Sequence, residues 1–237
     1  MLGLEDKVIV VTGGNRGIGA GVVALLEELG AKVAYNYRSE PGEKGSLAVK
    51  CSVTSLEEMT AFTEKVESEL GPIYGVVANA GVTRDGLFTN LSLEAWEEVI
   101  TGNLTGAFNT VKPIIPKLYE RKEGALVFIS SITGIHANMG QANYGASKAA
   151  VITLAKTLAL EGARYNVRSN VVAPGFTSTD MLKPIPDKVK EKIIQTIPLR
   201  RFADTLEMAW ATAFFLSPIA SSYVTGQVLS VDGGRNT

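Results

Sequence analysis

The segment Thr12-Gly13-Gly14-Asn15-Arg16-Gly17-Ile18-Gly19 constrains the chain more than any other, because it joins two stretches of different period. Before it, Lys7 to Thr12 is a short β-branched apolar run, the pattern of a buried strand. After it, Ile18, Val22, Val23, Leu25, Leu26 and Leu29 recur at helical spacing until Gly30 stops them. A glycine-rich turn from strand into helix lets a ligand approach the backbone and presents unpaired amides at the helix N-terminus, a natural seat for a pyrophosphate. An isolated glycine pattern marks only a tight turn. Its position after the first strand of an alternating chain favours a dinucleotide site, with Gly13, Asn15, Arg16, Gly17, Ile18 and Gly19 in contact.

The alternation continues. Ala31 to Tyr37, Leu47 to Lys50, Gly75 to Asn79, Ala125 to Ser130, Val167 to Val172 and Gln227 to Val231 read as strands. Helical patterns run from a Ser55/Glu58 capping box to Leu70, from Ser92 to Phe108, over Tyr144 to Gly162, and over Asp204 to Leu216. The reading gives seven strands and six helices, hence an α/β fold: a Rossmann-like doubly wound, mostly parallel sheet with helices on both faces. At 237 residues the chain fits a single domain spanning 1–237. Gly175 to Arg201, with Pro184, Pro186 and Pro198 around a helical piece, breaks the rhythm and is read as a substrate lid.

Lys plus Arg number 23 against 24 Asp plus Glu, so no basic excess exists to hold a phosphate backbone, and nucleic acid is not an expected partner. No apolar run approaches the roughly 18 residues of a membrane helix, and residues 1–7 lack the basic and apolar regions of an export signal. With Cys51 the single cysteine and His136 the single histidine, neither a disulfide nor structural zinc is expected. Both residues read as structural, no metal is implied, and a cytoplasmic setting is the expectation.

Position 37, eighteen residues after Gly19, is where an NAD-binding turn carries an acid for the ribose hydroxyls. Here it is Tyr37, followed by Arg38. A guanidinium suits a 2′-phosphate, and Arg16 supplies a second cation, so NADP(H) is expected over NAD(H).

Tyr144 and Lys148 stand four residues apart, one turn along a helix and on one face. A cation beside a phenol stabilises the phenolate and eases proton transfer at neutral pH. With this pair the chain resembles the short-chain dehydrogenase/reductase family over essentially its full length, from Thr12 to Asp232-Gly233-Gly234. The resemblance implies a catalytic tetrad of Asn103, Ser131, Tyr144 and Lys148. Tyr144 would give a proton to the carbonyl oxygen, which Ser131 orients. Lys148 would hold the nicotinamide ribose and lower the Tyr144 pKa, and Asn103 would support a water beside Lys148. It further implies cofactor contacts from Asn79-Ala80-Gly81, from Pro174-Gly175 with Thr177 and Thr179, and from Ser52 and Val53. Ser52 stands where many relatives carry Asp, and Ala78 precedes Asn79 where many carry a second Asn.

Within the family the resemblance is strongest to the branch that reduces 3-oxoacyl thioesters to (R)-3-hydroxyacyl thioesters, carried by coenzyme A or acyl carrier protein. It rests on Gly81-Val-Thr-Arg-Asp85, Gly140-Gln-Ala-Asn-Tyr144, Val171-Val-Ala-Pro-Gly-Phe-Thr-Ser-Thr-Asp-Met181 and Tyr223-Val-Thr-Gly226. Either carrier needs cations near the pocket mouth, for which Lys122, Arg164, Arg200 and Arg201 are candidates. Asn138, Met139, Gln141 and Phe176 are candidates for the acyl or pantetheine slot, beside Ser131 and Tyr144. The resemblance also implies a homotetramer, and the small face of Ala146, Ala149 and Ala150 permits close helix packing. Two other readings stand beside this one: a family member acting on a small ketone, sugar or steroid, and a non-catalytic NADP sensor.

Overall fold

The period-2 runs become one parallel sheet because their alternate side chains find cores on opposite faces. The computed structural model describes residues 2–179, 182 and 186–236. Its strands are β1 (Val8–Thr12), β2 (Lys32–Tyr37), β3 (Leu47–Lys50), β4 (Ile73–Ala78), β5 (Gly124–Ile129), β6 (Val167–Pro174) and β7 (Val228–Val231). They form a seven-stranded sheet in the order β3-β2-β1-β4-β5-β6-β7, every neighbour parallel. Along β1, Val8 and Val10 enter one core with Met59, Phe62, Leu118 and Phe128. Ile9 and Val11 enter the other with Val22, Leu26, Val127 and Phe215. The strand order reverses between β1 and β4, which opens a crevice at their carboxyl ends, the expected seat of a ligand in such a sheet.

The described residues hold eight α-helices rather than six: α1 (Gly17–Glu28), α2 (Leu56–Leu70), α3 (Leu93–Ile100), α4 (Gly106–Val111), α5 (Ile115–Arg121), α6 (Ala142–Gly162), α7 (Asp187–Gln195) and α8 (Thr205–Leu216). The pattern read as one helix from Ser92 is divided by a π-helical turn at Thr101–Thr105. The unforeseen α5 carries Pro116 in its first turn, where the missing N–H costs nothing, so a residue that reads as a breaker is in fact a starter. Only half of the box at Ser55 forms: Ser55 Oγ accepts from the Glu58 amide at 3.2 Å, but the Glu58 carboxylate accepts from the Ser52 amide at 2.9 Å. The complete box stands at the start of α8, where Asp204 and Glu207 cap each other.

Arg168 on β6 is buried and serves the other end of α8. Its guanidinium donates to the carbonyls of Phe215 at 2.8 Å, Ser217 at 3.0 Å and Leu216 at 3.4 Å, and to Ser221 Oγ at 3.0 Å. These are carbonyls that a helix C-terminus leaves without partners. Pro184 of the lid reading and Asp180-Met181 of the β6 motif lie outside the described residues.

Candidate active site

The glycine-rich turn leaves β1 over the crevice. Gly13 and Gly17 take positive φ angles of 64° and 56°. A Cβ on Gly19 would fall 2.2 Å from the Gly13 carbonyl oxygen, so the turn closes only around glycine. Thr12 Oγ1 accepts from the amides of Asn79 at 3.0 Å and Ala80 at 3.1 Å, and Asn79 Nδ2 donates to the Thr12 carbonyl at 2.8 Å. Asn36, which the sequence did not single out, accepts from the Gly13 amide at 3.0 Å and donates to the Cys51 carbonyl at 2.8 Å. The turn, the end of β4 and the end of β3 are thereby fixed to one another across the switch point.

No side chain caps α1, and no acid stands in its first turn, so its leading amides are available to an anion. Gly17, Ala20, Ser178, Thr179, Leu182 and Thr205 line a cavity of about 550 Å³ between α1 and the segment after β6. Gly175 donates its amide to Val231 at 2.9 Å, and Thr177 Oγ1 donates to the Gly175 carbonyl at 3.1 Å, which sets the path of that segment after Pro174. Arg16 and Arg38 are exposed, and neither has an ion-pair partner among the described residues. Tyr37 lies beside Tyr35, ring centroids 6.4 Å apart. These features fit a dinucleotide. The Ser52 hydroxyl is 2.8 Å from that of Thr54, and the Val53 carbonyl accepts from Asn109 Nδ2 at 2.9 Å.

Cys51 closes β3 beneath this site. Burial first, then the Glu58 carboxylate, pushes its thiol up to about 11. At pH 8 in the folded protein Cys51 is therefore expected to resist a thiol-exchange reagent that labels it fully in urea. Rapid labelling without denaturant would contradict the burial.

Across the crevice, β5 ends at Ile129 and Ser131 follows, with Tyr144 and Lys148 on α6. Lys148 is 4 % exposed; its Nζ donates to the Ile129 carbonyl at 2.8 Å and stands 5.7 Å from the Tyr144 ring centroid. Burial lowers its pKa from 10.5 to about 8. Burial raises the Tyr144 pKa, the Ser131 hydroxyl lowers it and the Asp85 carboxylate raises it. The Tyr144 pKa thus moves up rather than down as expected, because loss of solvation around the phenol dominates while the Lys148 ammonium is held on the Ile129 carbonyl. Ser131 Oγ also accepts from the Thr133 amide at 3.1 Å.

Asn103 lies in the π-helical turn, buried. Its Oδ1 accepts from the Val82 amide at 2.7 Å, and its Nδ2 donates to the Val82 carbonyl at 3.0 Å and to Ser147 Oγ at 2.9 Å. The side chain thus ties the segment after β4 to α6. A Cβ on Gly81 would lie 3.1 Å from Asn103 Oδ1 and 3.4 Å from Lys148 Nζ, so the glycine admits both groups to one place.

The expected substrate contacts divide. Asn138 and Gln141 lie at the rim, Asn138 Nδ2 donating to Gln141 Oε1 at 2.9 Å, and Met139 is 86 % exposed beside them. Phe176 packs its ring 6.0 Å from that of Phe202 and lies under the Arg235 guanidinium at 4.6 Å, lining a small cavity with Leu199, Val231 and Asp232. Among the cations, Arg201 is engaged in a two-pronged pair with Glu207 at 2.6 and 2.7 Å, Arg200 donates to the Gln195 carbonyl, and Arg164 covers the Tyr165 ring at 4.7 Å. Lys122 ends α5 in the left-handed conformation.

Known proteins similar to this chain match it over almost its whole length. A family model described as Enoyl-(Acyl carrier protein) reductase matches residues 13–236. The acetoacetyl-CoA reductase of Synechocystis sp. is 55% identical over 237 residues, covering 100% of this chain and 99% of that protein. The 3-oxoacyl-[acyl-carrier-protein] reductase FabG of Thermotoga maritima is 40% identical, covering 98% of each. Among solved structures, levodione reductase superposes with a TM-score of 0.93 at 28% identity, covering 98% of each chain.

Proposed function

The chain belongs to the short-chain dehydrogenase/reductase family, and from that premise we propose that it reduces a 3-oxoacyl thioester with NADPH to the (R)-3-hydroxyacyl thioester, favouring an acetoacetyl group on coenzyme A. The observation that carries this reading is the meeting of Ser131, Tyr144 and Lys148 on one wall of a glycine-lined crevice, in a chain 55% identical to an acetoacetyl-CoA reductase. The whole chain is one reductase domain in this reading, with 175–201 as its lid. The chemistry the bound nicotinamide supplies is a hydride to the carbonyl carbon.

The protein's own residues do the rest. Tyr144, protonated at neutral pH like any phenol, gives its hydroxyl proton to the carbonyl oxygen, and Ser131 donates a hydrogen bond to the same oxygen. Lys148 holds the nicotinamide ribose and places positive charge beside the phenolate that results. Asn103 keeps the Val82 segment and α6 in register around them. Gly13, Gly17, Ile18 and Gly19 seat the pyrophosphate, with Asn79, Ala80, Gly81 and Thr179 along the crevice.

The test follows NADPH oxidation with an acetoacetyl group on coenzyme A and on acyl carrier protein, with NADH and a simple ketone as controls. The ratio of kcat/KM values decides it. Preference for the coenzyme A thioester supports the reading, preference for the carrier protein moves the chain to the other branch, and turnover of the ketone alone overturns both. Arg16 and Arg38 are assigned the 2′-phosphate. Replacing both with Ala is expected to raise KM for NADPH at least about tenfold while leaving KM for NADH within about twofold. Equal losses for both cofactors would remove that assignment.

We infer a homotetramer from the exposed Ala146 and Ala149 on α6 and Phe108 on α4, and from the exposed Trp210 and Leu229 on α8 and β7. Light scattering at micromolar concentration is expected to give four times the 25.2 kDa chain mass, and a monomer mass would refute it. No helix among the described residues is long and apolar enough to cross a membrane, and a cytoplasmic enzyme is the reading adopted.

A further inference from the structure

A parallel crossover usually runs through a helix, which carries the chain back to the same end of the sheet. None stands between β2 and β3 among the described residues; 38–46 makes the crossing as a loop. Tyr35 on β2, 1 % exposed, is what fastens it. The ring lies in a slot of glycines: a Cβ on Gly14 of the turn would fall 2.5 Å from Tyr35 Cβ, and one on Gly45 of the loop 2.5 Å from Tyr35 Cε1. The hydroxyl donates to the Gly42 carbonyl at 3.1 Å and accepts from the Gly42 amide at 2.8 Å. A phenol that meets both backbone groups of one residue fixes its place and its orientation together.

Fastened there, the loop lies against the glycine-rich turn. A Cβ on Gly42 would stand 3.1 Å from Asn15 Cα, so the two backbones meet with no room for a side chain between them. Asn15 Nδ2 donates to the Glu40 carbonyl at 3.0 Å. Farther along, Glu27 on α1 accepts from the Gly45 amide at 2.9 Å and from the Ser46 hydroxyl at 3.3 Å. Arg16 follows Asn15 directly and Arg38 stands just before Ser39-Glu40, so the two guanidiniums are borne on backbones tied to each other close by. Glu40 and Glu43, the acids of the loop, are exposed, and neither pairs with an arginine among the described residues. Two cations on separate mobile segments would lose freedom in meeting one phosphate, whereas on tied backbones that ordering is already done.

We propose that Tyr35 is a positioning residue for cofactor choice: its hydroxyl buckles the 38–46 loop onto the glycine-rich turn and so holds Arg16 and Arg38 ready for the 2′-phosphate of NADP(H). The inference rests on NADP(H) as the cofactor, and not on which thioester is reduced. Tyr35 is buried and acts through Gly42 rather than on the phosphate itself.

The experiment measures Kd for NADP⁺ and for NAD⁺ by calorimetry, since the two differ only in the 2′-phosphate and binding needs no turnover. Tyr35→Phe keeps the ring in its slot and removes the hydroxyl. Its preference for NADP⁺ is expected to fall by at least about threefold, the scale of one neutral hydrogen bond, through weaker NADP⁺ binding while Kd for NAD⁺ stays within about twofold. Gly42→Ala leaves Tyr35 intact but forces the loop off Asn15, and it should shift the preference in the same direction. Hydrogen exchange read on peptides spanning 38–46 should quicken in both variants. A preference that stays at its wild-type value overturns the proposal, whether or not the loop exchanges faster, and so does an equal loss for both cofactors. A wild type that itself shows no preference for NADP⁺ would remove the cofactor reading, whereas a wild-type preference kept intact in both variants would remove the role of Tyr35 alone.

Discussion

Lys148→Met is expected to lose reduction by at least about two orders of magnitude and yet to melt at a higher temperature than wild type at pH 7. The loss follows from removing the only ammonium beside Tyr144 among the described contacts. The gain follows from burial. Holding this lysine's pKa at about 8 against an ordinary 10.5 means that its charged form costs the folded state roughly 3 kcal/mol below pH 8. The lost hydrogen bond to Ile129 returns part of that cost, leaving a net gain of about 1–2 kcal/mol and a midpoint higher by several degrees. The pH dependence has a definite sign. Because the folded pKa is depressed, the wild-type penalty is full below about 8 and fades as pH rises toward 10.5, so wild-type stability climbs across that window. The variant lacks the lysine's share of that climb. Calorimetry of both proteins at pH 7 and pH 9.5 checks it, and a variant that melts lower at pH 7 would show that the ammonium stabilises the fold.

Arg168→Met should do the opposite, lowering stability by at least about 3 kcal/mol. The methionine matches much of the side-chain volume but leaves the carbonyls of Phe215 and Ser217 without their arginine donor in a buried setting. Tyr74, whose hydroxyl donates to the Leu216 carbonyl at 2.8 Å, stays in place and limits the damage there. Urea unfolding gives the number, and Arg168→Lys should recover only part of it, since one ammonium cannot span the same set of acceptors. A loss under about 1 kcal/mol in Arg168→Met would mean that water or a local shift supplies those carbonyls.

Much of this molecule could be read from its residues, for reasons that differ from place to place. Gly13, Gly17 and Gly19 were legible because the turn needs either a positive φ or the absence of a side chain, and only one residue type meets those demands. Tyr144 and Lys148 were legible because four residues on a helix is one turn, a local fact that sequence carries intact. Asn36 and Asn143 were not, because their work is to join segments remote in the chain: Gly13 to Cys51, and Arg84 to Tyr144. Nothing near them in sequence announces those partners. The packing of Phe176 was hidden for a related reason. Its ring contacts Phe202 and Arg235, which only the fold brings near. The upward direction of the Tyr144 pKa was not legible, because spacing reveals a nearby cation but not the loss of solvent around the phenol.

The π-helical turn at Thr101–Thr105 carries one residue more than regular winding would. Upstream of it α3 buries only Val99 among its residues, whereas downstream α4 buries Gly106, Ala107, Asn109, Thr110 and Val111. The surplus residue works as a phase correction between two stretches of helix that answer to different neighbours. Removing it would restore ordinary hydrogen bonding and rotate everything beyond by about 100°, so that Asn109 would swing off the Val53 carbonyl while Val111 left the core it shares with Ile114 and Leu118. A mend to the helix would thus be a fault in the fold. The irregular winding is what lets one continuous stretch of chain serve both the crevice and the sheet behind it.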